Sequence, residues 1–201
     1  MKENNECAAL VEKIVQGDIS AFRELVEKFK KKIFYISFDI LGDYQEAEDI
    51  SQEVFIKIFR SINKFKRDAK MSTWIYQITV NTCIDAIRRK KAKPTIQMNE
   101  EKPDDYRMVD SVLSAKISSP ESSADASLLQ IKIQEALNKI SDRERAVFVM
   151  RHYNDLSINE IADVMKISSG TVKSFLFRGL QKLRKELSFY QENPSLEVGY
   201  E

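Results

Sequence analysis

The chain has 201 residues, with 32 Lys and Arg against 31 Asp and Glu, for a formal net charge of +1. That length suits one domain or two small ones, and bulk charge by itself does not signal a polyanionic partner. Two cysteines, Cys7 and Cys83, exclude a disulfide framework and a Cys-x-x-Cys zinc site; no 18-residue apolar run is present, and residues 1–20 lack the apolar core of a secretory signal.

The first periodic segment is Phe22, Leu25, Val26, Phe29 and Ile33, which keeps the 3.6-residue repeat of an amphipathic helix. Residues 45–62 form a second, with Ala47, Ile50, Val54 and Ile58 on its apolar face and Glu46, Asp49, Gln52 and Glu53 on another. A solvated surface explains those carboxylates simply. A catalytic metal site does not, because no histidine accompanies them.

Residues 63–72, NKFKRDAKMS, are a polar, basic connection. The next helix, 73–91, aligns Asn81, Asp85 and Arg88 on one face, with Tyr76 and Gln77 a turn earlier. Amides such as Asn and Gln present paired donors and acceptors to bases, while Arg88, Arg89, Lys90 and Lys91 suit phosphates. From Arg60 to Lys93 the sequence holds ten Lys/Arg against Asp68 and Asp85, a local balance of +8. The compensating acids lie at 43–53 and 100–125, so two opposed surfaces are expected under the near-neutral total. Trp74 is assigned to the core and Cys83 to a buried, inert position.

Three of the four prolines fall within 94–120, and residues 94–124 show no sustained helical period. This predicts a flexible linker. Beyond it, a helix at 143–152 ends on His152, read as a C-terminal cap favoured by the helix dipole.

Residues 157–185, SINEIADVMKISSGTVKSFLFRGLQKLRK, predict a helix-turn-helix. Ser157 and Glu160 have capping-box spacing, and Ile161, Ala162 and Met165 form the apolar stripe. Ile167 fills the turn, where Lys166 stands in place of the glycine many such turns carry. Ser168 caps a second helix that turns Val172 and Leu176 inward. Lys173, Ser174, Phe177 and Arg178 are left outside, a division suited to a major groove. The backbone amides of Ser169, Gly170 and Thr171 open that helix and suit a phosphate. The fold class is therefore all-α: two small helical domains joined by a flexible linker, the C-terminal one a helix-turn-helix. The domains are read as 1–93 and 125–187, with a linker at 94–124 and a short acidic tail at 188–201.

The wording of these segments carries a resemblance. GTVKS-x-L-x-R at 170–178, EIAD at 160–163 and LNKISDRERAVFVMRH at 137–152 resemble the C-terminal DNA-binding domain of bacterial sigma factors, most of all the extracytoplasmic-function (ECF) group. GD-x-x-AF at 17–22, QEAEDISQEVFIKIFRSINKF at 45–65 and STWIYQITVNTCIDAIRRKK at 72–91 are similar to the promoter-melting domain of the same family. The resemblance implies a cytoplasmic promoter-specificity subunit that binds RNA polymerase core and promoter DNA. It implies no catalytic residue, metal, cofactor or small-molecule substrate. Glu46, Asp49, Gln52 and Glu53 would dock on the clamp coiled coil of the largest polymerase subunit.

By the same resemblance, Phe65, Lys66, Arg67 and Ser72 stand where the family captures a flipped base of the −10 element, a task needing a pocket with aromatic or apolar walls. Tyr76, Gln77, Asn81, Arg88 and Arg89 would continue that surface. Ser169, Gly170, Thr171, Lys173, Ser174, Phe177 and Arg178 would read the −35 element. Phe175 replaces the basic residue of many relatives, and either touches a thymine methyl or packs inward. An anti-sigma factor is a further implied partner.

Two rivals remain at this point. A stand-alone helix-turn-helix regulator leaves 45–91 without a role, and a metal-dependent nuclease using Glu46, Asp49 and Glu53 leaves the second domain without one. Reach also matters. About thirty linker residues span ~100 Å extended but only ~30 Å as a coil. Two elements roughly two DNA turns apart lie ~70 Å apart.

Overall fold

The computed structural model describes residues 2–65, 70–92 and 133–192, with side chains described for 9–65, 70–92 and 133–188. Among these residues there is no strand, and no helix is long and apolar enough to cross a membrane. Lys66, Arg67 and the linker 94–124 lie outside them.

In the N-terminal block α1 (Lys2–Val15) leads into α2 (Ile19–Leu41), α3 (Tyr44–Ser61), a single 3-10 turn (Ile62–Lys64) and α4 (Met71–Ala92). Local chemistry sets the boundaries. Asp18 caps α2 by accepting from the N–H groups of Ser20 (2.8 Å) and Ala21 (3.2 Å). Gly42 ends the helix in the left-handed region (φ 76°), its N–H donating to the Phe38 carbonyl. Asp43 then caps α3 through the Glu46 N–H at 2.8 Å. Two helices thus reverse direction within two residues.

The α2 stripe Leu25, Phe29, Ile33, Ile36 and Ile40 meets Ala47, Ile50, Val54 and Ile58 of α3 and Ile75 and Val80 of α4, all buried. Cys83 is fully buried, and burial pushes its thiol pKa up to about 12, so it is inert as the sequence predicts. Trp74 is half-buried against the core, its ring 5.3 Å from that of Phe65.

The C-terminal block comprises the helical residues 133–139 (α5), α6 (Asp142–His152), α7 (Ile158–Met165) and α8 (Ser169–Glu192). Both α6 and α7 open on complete capping boxes, Ser141 with Glu144 and Ser157 with Glu160. Ala136, Leu137, Ile140 and Leu183 form a small satellite core.

His152 departs from the sequence reading. It ends α6, but its ring lies 4.5 Å from Phe148, and desolvation with the neighbouring Arg151 charge lowers its pKa. The residue stays largely exposed, and both effects disfavour the charged imidazole at this helix end.

The two blocks also touch. Val147, Met150, Ile161, Val164 and Val172 belong to the same buried cluster as the α2–α4 core. Asn154 donates from Nδ2 to Asp39 Oδ2 at 3.3 Å, and Lys91 pairs with Asp142. Two helical domains are present, and in this structure they are packed on one another.

Candidate polymerase-docking and DNA-binding surfaces

On α3 the four predicted docking residues divide. Asp49 and Gln52 are exposed. Glu46 and Glu53 are half-buried and turn toward α4: Lys90 Nζ lies 2.9 Å from Glu46 Oε2, and Arg89 Nη2 lies 3.3 Å from Glu53 Oε2. Glu53 also takes Lys57 at 2.8 Å, a bond that leads the causes lowering its pKa. The acid face and the basic helix end are therefore stitched together rather than opposed, because α3 and α4 are packed neighbours. Linear charge counts cannot see that.

The exposed stripe continues where no docking residue was predicted. Ile56 and Phe59 are half exposed (52% and 55%) and follow Asp49 and Gln52 at spacings of three and four. The edge of the Phe59 ring meets Phe22 at 5.0 Å between centroids. The signal was present in the sequence as apolar residues off the core face of 45–62.

On α4, Asn81, Asp85 and Arg88 are exposed together, with a loose 3.9 Å pair between Arg88 and Asp85. Ser72, Tyr76 and Gln77 are half-buried, and Phe65 leans on Trp74 at the start of the same helix. A single face thus carries amide, carboxylate and guanidinium groups beside an aromatic pair, groups able to hydrogen-bond and to stack.

On α8, Ser168 Oγ accepts from the Thr171 N–H at 3.1 Å, so that amide is already capped. Lys173, Ser174, Phe177 and Arg178 face outward, Phe177 being 63% exposed. Phe175 is half-buried against the core and carries the Arg178 guanidinium 5.1 Å above its ring. Packing inward is thus the arrangement found.

Glu144 of α6 was not singled out from sequence. It is 3% exposed and holds Lys182 at 2.7 Å and Arg178 at 3.5 Å. Desolvation raises its pKa, but the hydrogen bonds from Lys182 and Ser141 outweigh that and lower it overall. One buried carboxylate therefore presets two cations of the outward face of α8.

The chain is 34% identical over 177 residues to the ECF RNA polymerase sigma factor SigW of Bacillus subtilis, covering 88% of this chain and 94% of the relative. It belongs to the ECF sigma factors. The RNA polymerase sigma-H factor of Pseudomonas aeruginosa is 31% identical, with 89% and 92% of the two chains covered. The Sigma-70 region 2 model matches residues 25–93 and the Sigma-70 region 4 model matches 130–183. Region 2 thus takes in α2 through α4, and region 4 the helix-turn-helix block.

Among solved structures the fold is similar to CnrH in complex with the cytosolic domain of CnrY (TM-score 0.60, 18% identity, 90% of this chain and 96% of that one). It is also similar to the sigma factor RpoE in complex with the anti-sigma factor NepR from Bartonella quintana (TM-score 0.57, 16% identity, 85% and 98%). As an ECF sigma factor, the protein directs RNA polymerase to promoters.

Proposed function

We propose how that function is distributed over the residues. Residues 1–93 dock on polymerase core and read the −10 element, 94–124 link, and 125–187 read the −35 element. Asp49 and Gln52 make the principal contacts to the clamp coiled coil, and Glu46 and Glu53 hold the α4 cations in register beside them. Phe65, Lys66, Arg67 and Ser72 receive the flipped −10 base. Asn81 and Arg88 extend that surface along α4, with Tyr76, Gln77 and Arg89 around them. Lys173, Ser174, Phe177 and Arg178 enter the major groove, and Ser169 and Gly170 meet a phosphate. The protein works in the cytoplasm, catalyses no reaction itself and is held in check by an anti-sigma factor.

One observation supports this reading most. A single chain carries an exposed polar stripe on α3, a mixed amide and cationic face on α4 and an outward recognition face on α8, with α3 capped by Asp43 and α8 by Ser168. Combining the purified chain with polymerase core and genomic DNA of its source, then mapping transcript starts, tests it. Starts sharing two elements about two turns apart are expected, and starts indistinguishable from those of core alone would refute it.

A further inference from the structure

Arg178 is held by one end of its guanidinium only. Its Nε donates to the Ser174 carbonyl at 3.4 Å and lies 3.5 Å from Glu144 Oε1. The flat face rests on Phe175, 5.1 Å from the ring centre. Among the described residues nothing pairs with Nη1 or Nη2, and the side chain is 54% exposed. The edge left for a partner outside the chain is therefore a pair of parallel N–H donors. That edge matches two adjacent acceptors, such as O6 and N7 of guanine in the major groove.

The carboxylate that fixes the other end comes from a different helix. Glu144 stands in the first turn of α6, and its side chain is 4% exposed. Oε2 by itself meets the structural needs of that turn. It accepts from the Ser141 N–H at 3.2 Å, completing the capping box, and from Lys182 Nζ at 2.7 Å. Oε1 is left to Arg178 among the described residues. The two helices cross closely here, since a Cβ added at the buried Gly179 would already stand 3.7 Å from Glu144 Cβ. The acid thus lies under the turn of α8 that carries Arg178 and Lys182.

An arginine serving only to clasp two helices gains most from a fork-to-fork pair through its terminal nitrogens. Arg178 instead spends Nε on the protein and keeps the fork. A long side chain on a helix surface otherwise loses rotamer freedom at the moment of binding, and contacts made beforehand remove part of that cost. Charge points the same way. Glu144, Arg178 and Lys182 together carry a net +1, so the acid tempers the attraction of this turn for any phosphate while fixing the direction of one guanidinium.

We propose that Glu144, a buried residue of α6, is a positioning residue for −35 recognition: by holding Arg178 at Nε it aims the Nη1–Nη2 edge at a guanine of the element and so sets specificity at one base pair. The proposal rests on the assignment of Arg178 to the −35 surface given above.

The test uses the full chain bound to polymerase core and a promoter found by start mapping, with each −35 position changed in turn and affinities read by competition. Wild type should prefer guanine at one position by about tenfold, and Arg178→Ala should erase that preference. Glu144→Gln should cut the same preference by about fivefold while the other positions keep theirs. It should bind a scrambled duplex at least as tightly as wild type, because one negative charge is gone. With Arg178→Ala already present, Glu144→Gln should change nothing more at that position. A purely structural Glu144 gives the opposite pattern: Glu144→Gln weakens every position and the scrambled duplex alike, with or without Arg178. That pattern overturns the proposal, as does a guanine preference that survives Glu144→Gln, or a base other than guanine at the position Arg178 reads. If Arg178→Ala alters no base preference at all, the assignment of Arg178 to the −35 element fails and the proposal falls with it. Should Glu144→Gln not fold, Glu144→Asp, whose carboxylate is one methylene short of Arg178, provides the same comparison.

Discussion

Lys166 ends α7 with φ 52° and ψ 48°, in the left-handed region where a side chain is strained. Its N–H still donates to the Ala162 carbonyl, so the turn has the geometry of a glycine cap without the glycine. Lys166→Gly should stabilise the protein by about 0.5–1 kcal/mol, the relief of strain exceeding the entropy cost. A rise in the urea midpoint at unchanged slope checks it. Glu144 makes the opposite case. Glu144→Gln should cost about 1–2 kcal/mol by leaving Lys182, Arg178 and the α6 cap without their carboxylate. Because its folded pKa lies below the ordinary 4.5, the stabilisation is present above that value and is lost as pH falls toward the folded pKa. Wild type and variant should therefore differ at pH 7 and converge in acid, as read by urea titration at several pH values.

On the proposed assignment helix α3 does two jobs with one polar face, and substitutions on it should separate them. Asp49→Arg with Gln52→Arg reverses the exposed stripe without touching the apolar one, so core binding should fall more than tenfold while the circular dichroism spectrum and melting temperature hold. Glu53→Arg is a poorer probe, because Glu53 holds Lys57 and Arg89 and its loss disturbs α4 as well. On α8, Arg178→Ala should weaken −35 recognition by about 1–3 kcal/mol if the guanidinium reads a base bidentately. If it meets a phosphate instead, sequence preference stays and the salt slope drops by about one unit. Competition binding of the core complex at several salt concentrations distinguishes the two. These helices were legible in the sequence to within a residue or two, since periodicity and caps are local: 45–62 against Tyr44–Ser61, and 73–91 against Met71–Ala92. The lateral partners of their charges were not, because Glu46 and Lys90 lie 44 residues apart.

With both surfaces in one chain and their domains packed together, the free protein should bind promoter duplex weakly, with strong salt dependence and little sequence preference. Specificity should emerge when core is added. A gel-shift titration against promoter and scrambled duplexes, with and without core, measures this. A thousandfold promoter preference in the free chain would contradict it and would return weight to a stand-alone regulator.

The sequence by itself determined the periodic helices, the caps at Ser157 and Ser168, the helix-turn-helix and the order of the two sigma regions. Those properties follow from residues within a few positions of one another, as the capping box at Ser157 and the stripe Ile161–Val172 demonstrate. Tertiary structure alone decided that Glu46 and Glu53 turn to α4, that Glu144 holds two cations of the recognition helix, and that Asn154 meets Asp39 across 115 residues of chain. Burial and charge pairing depend on which helix faces are brought together in space, and no local periodicity encodes that choice.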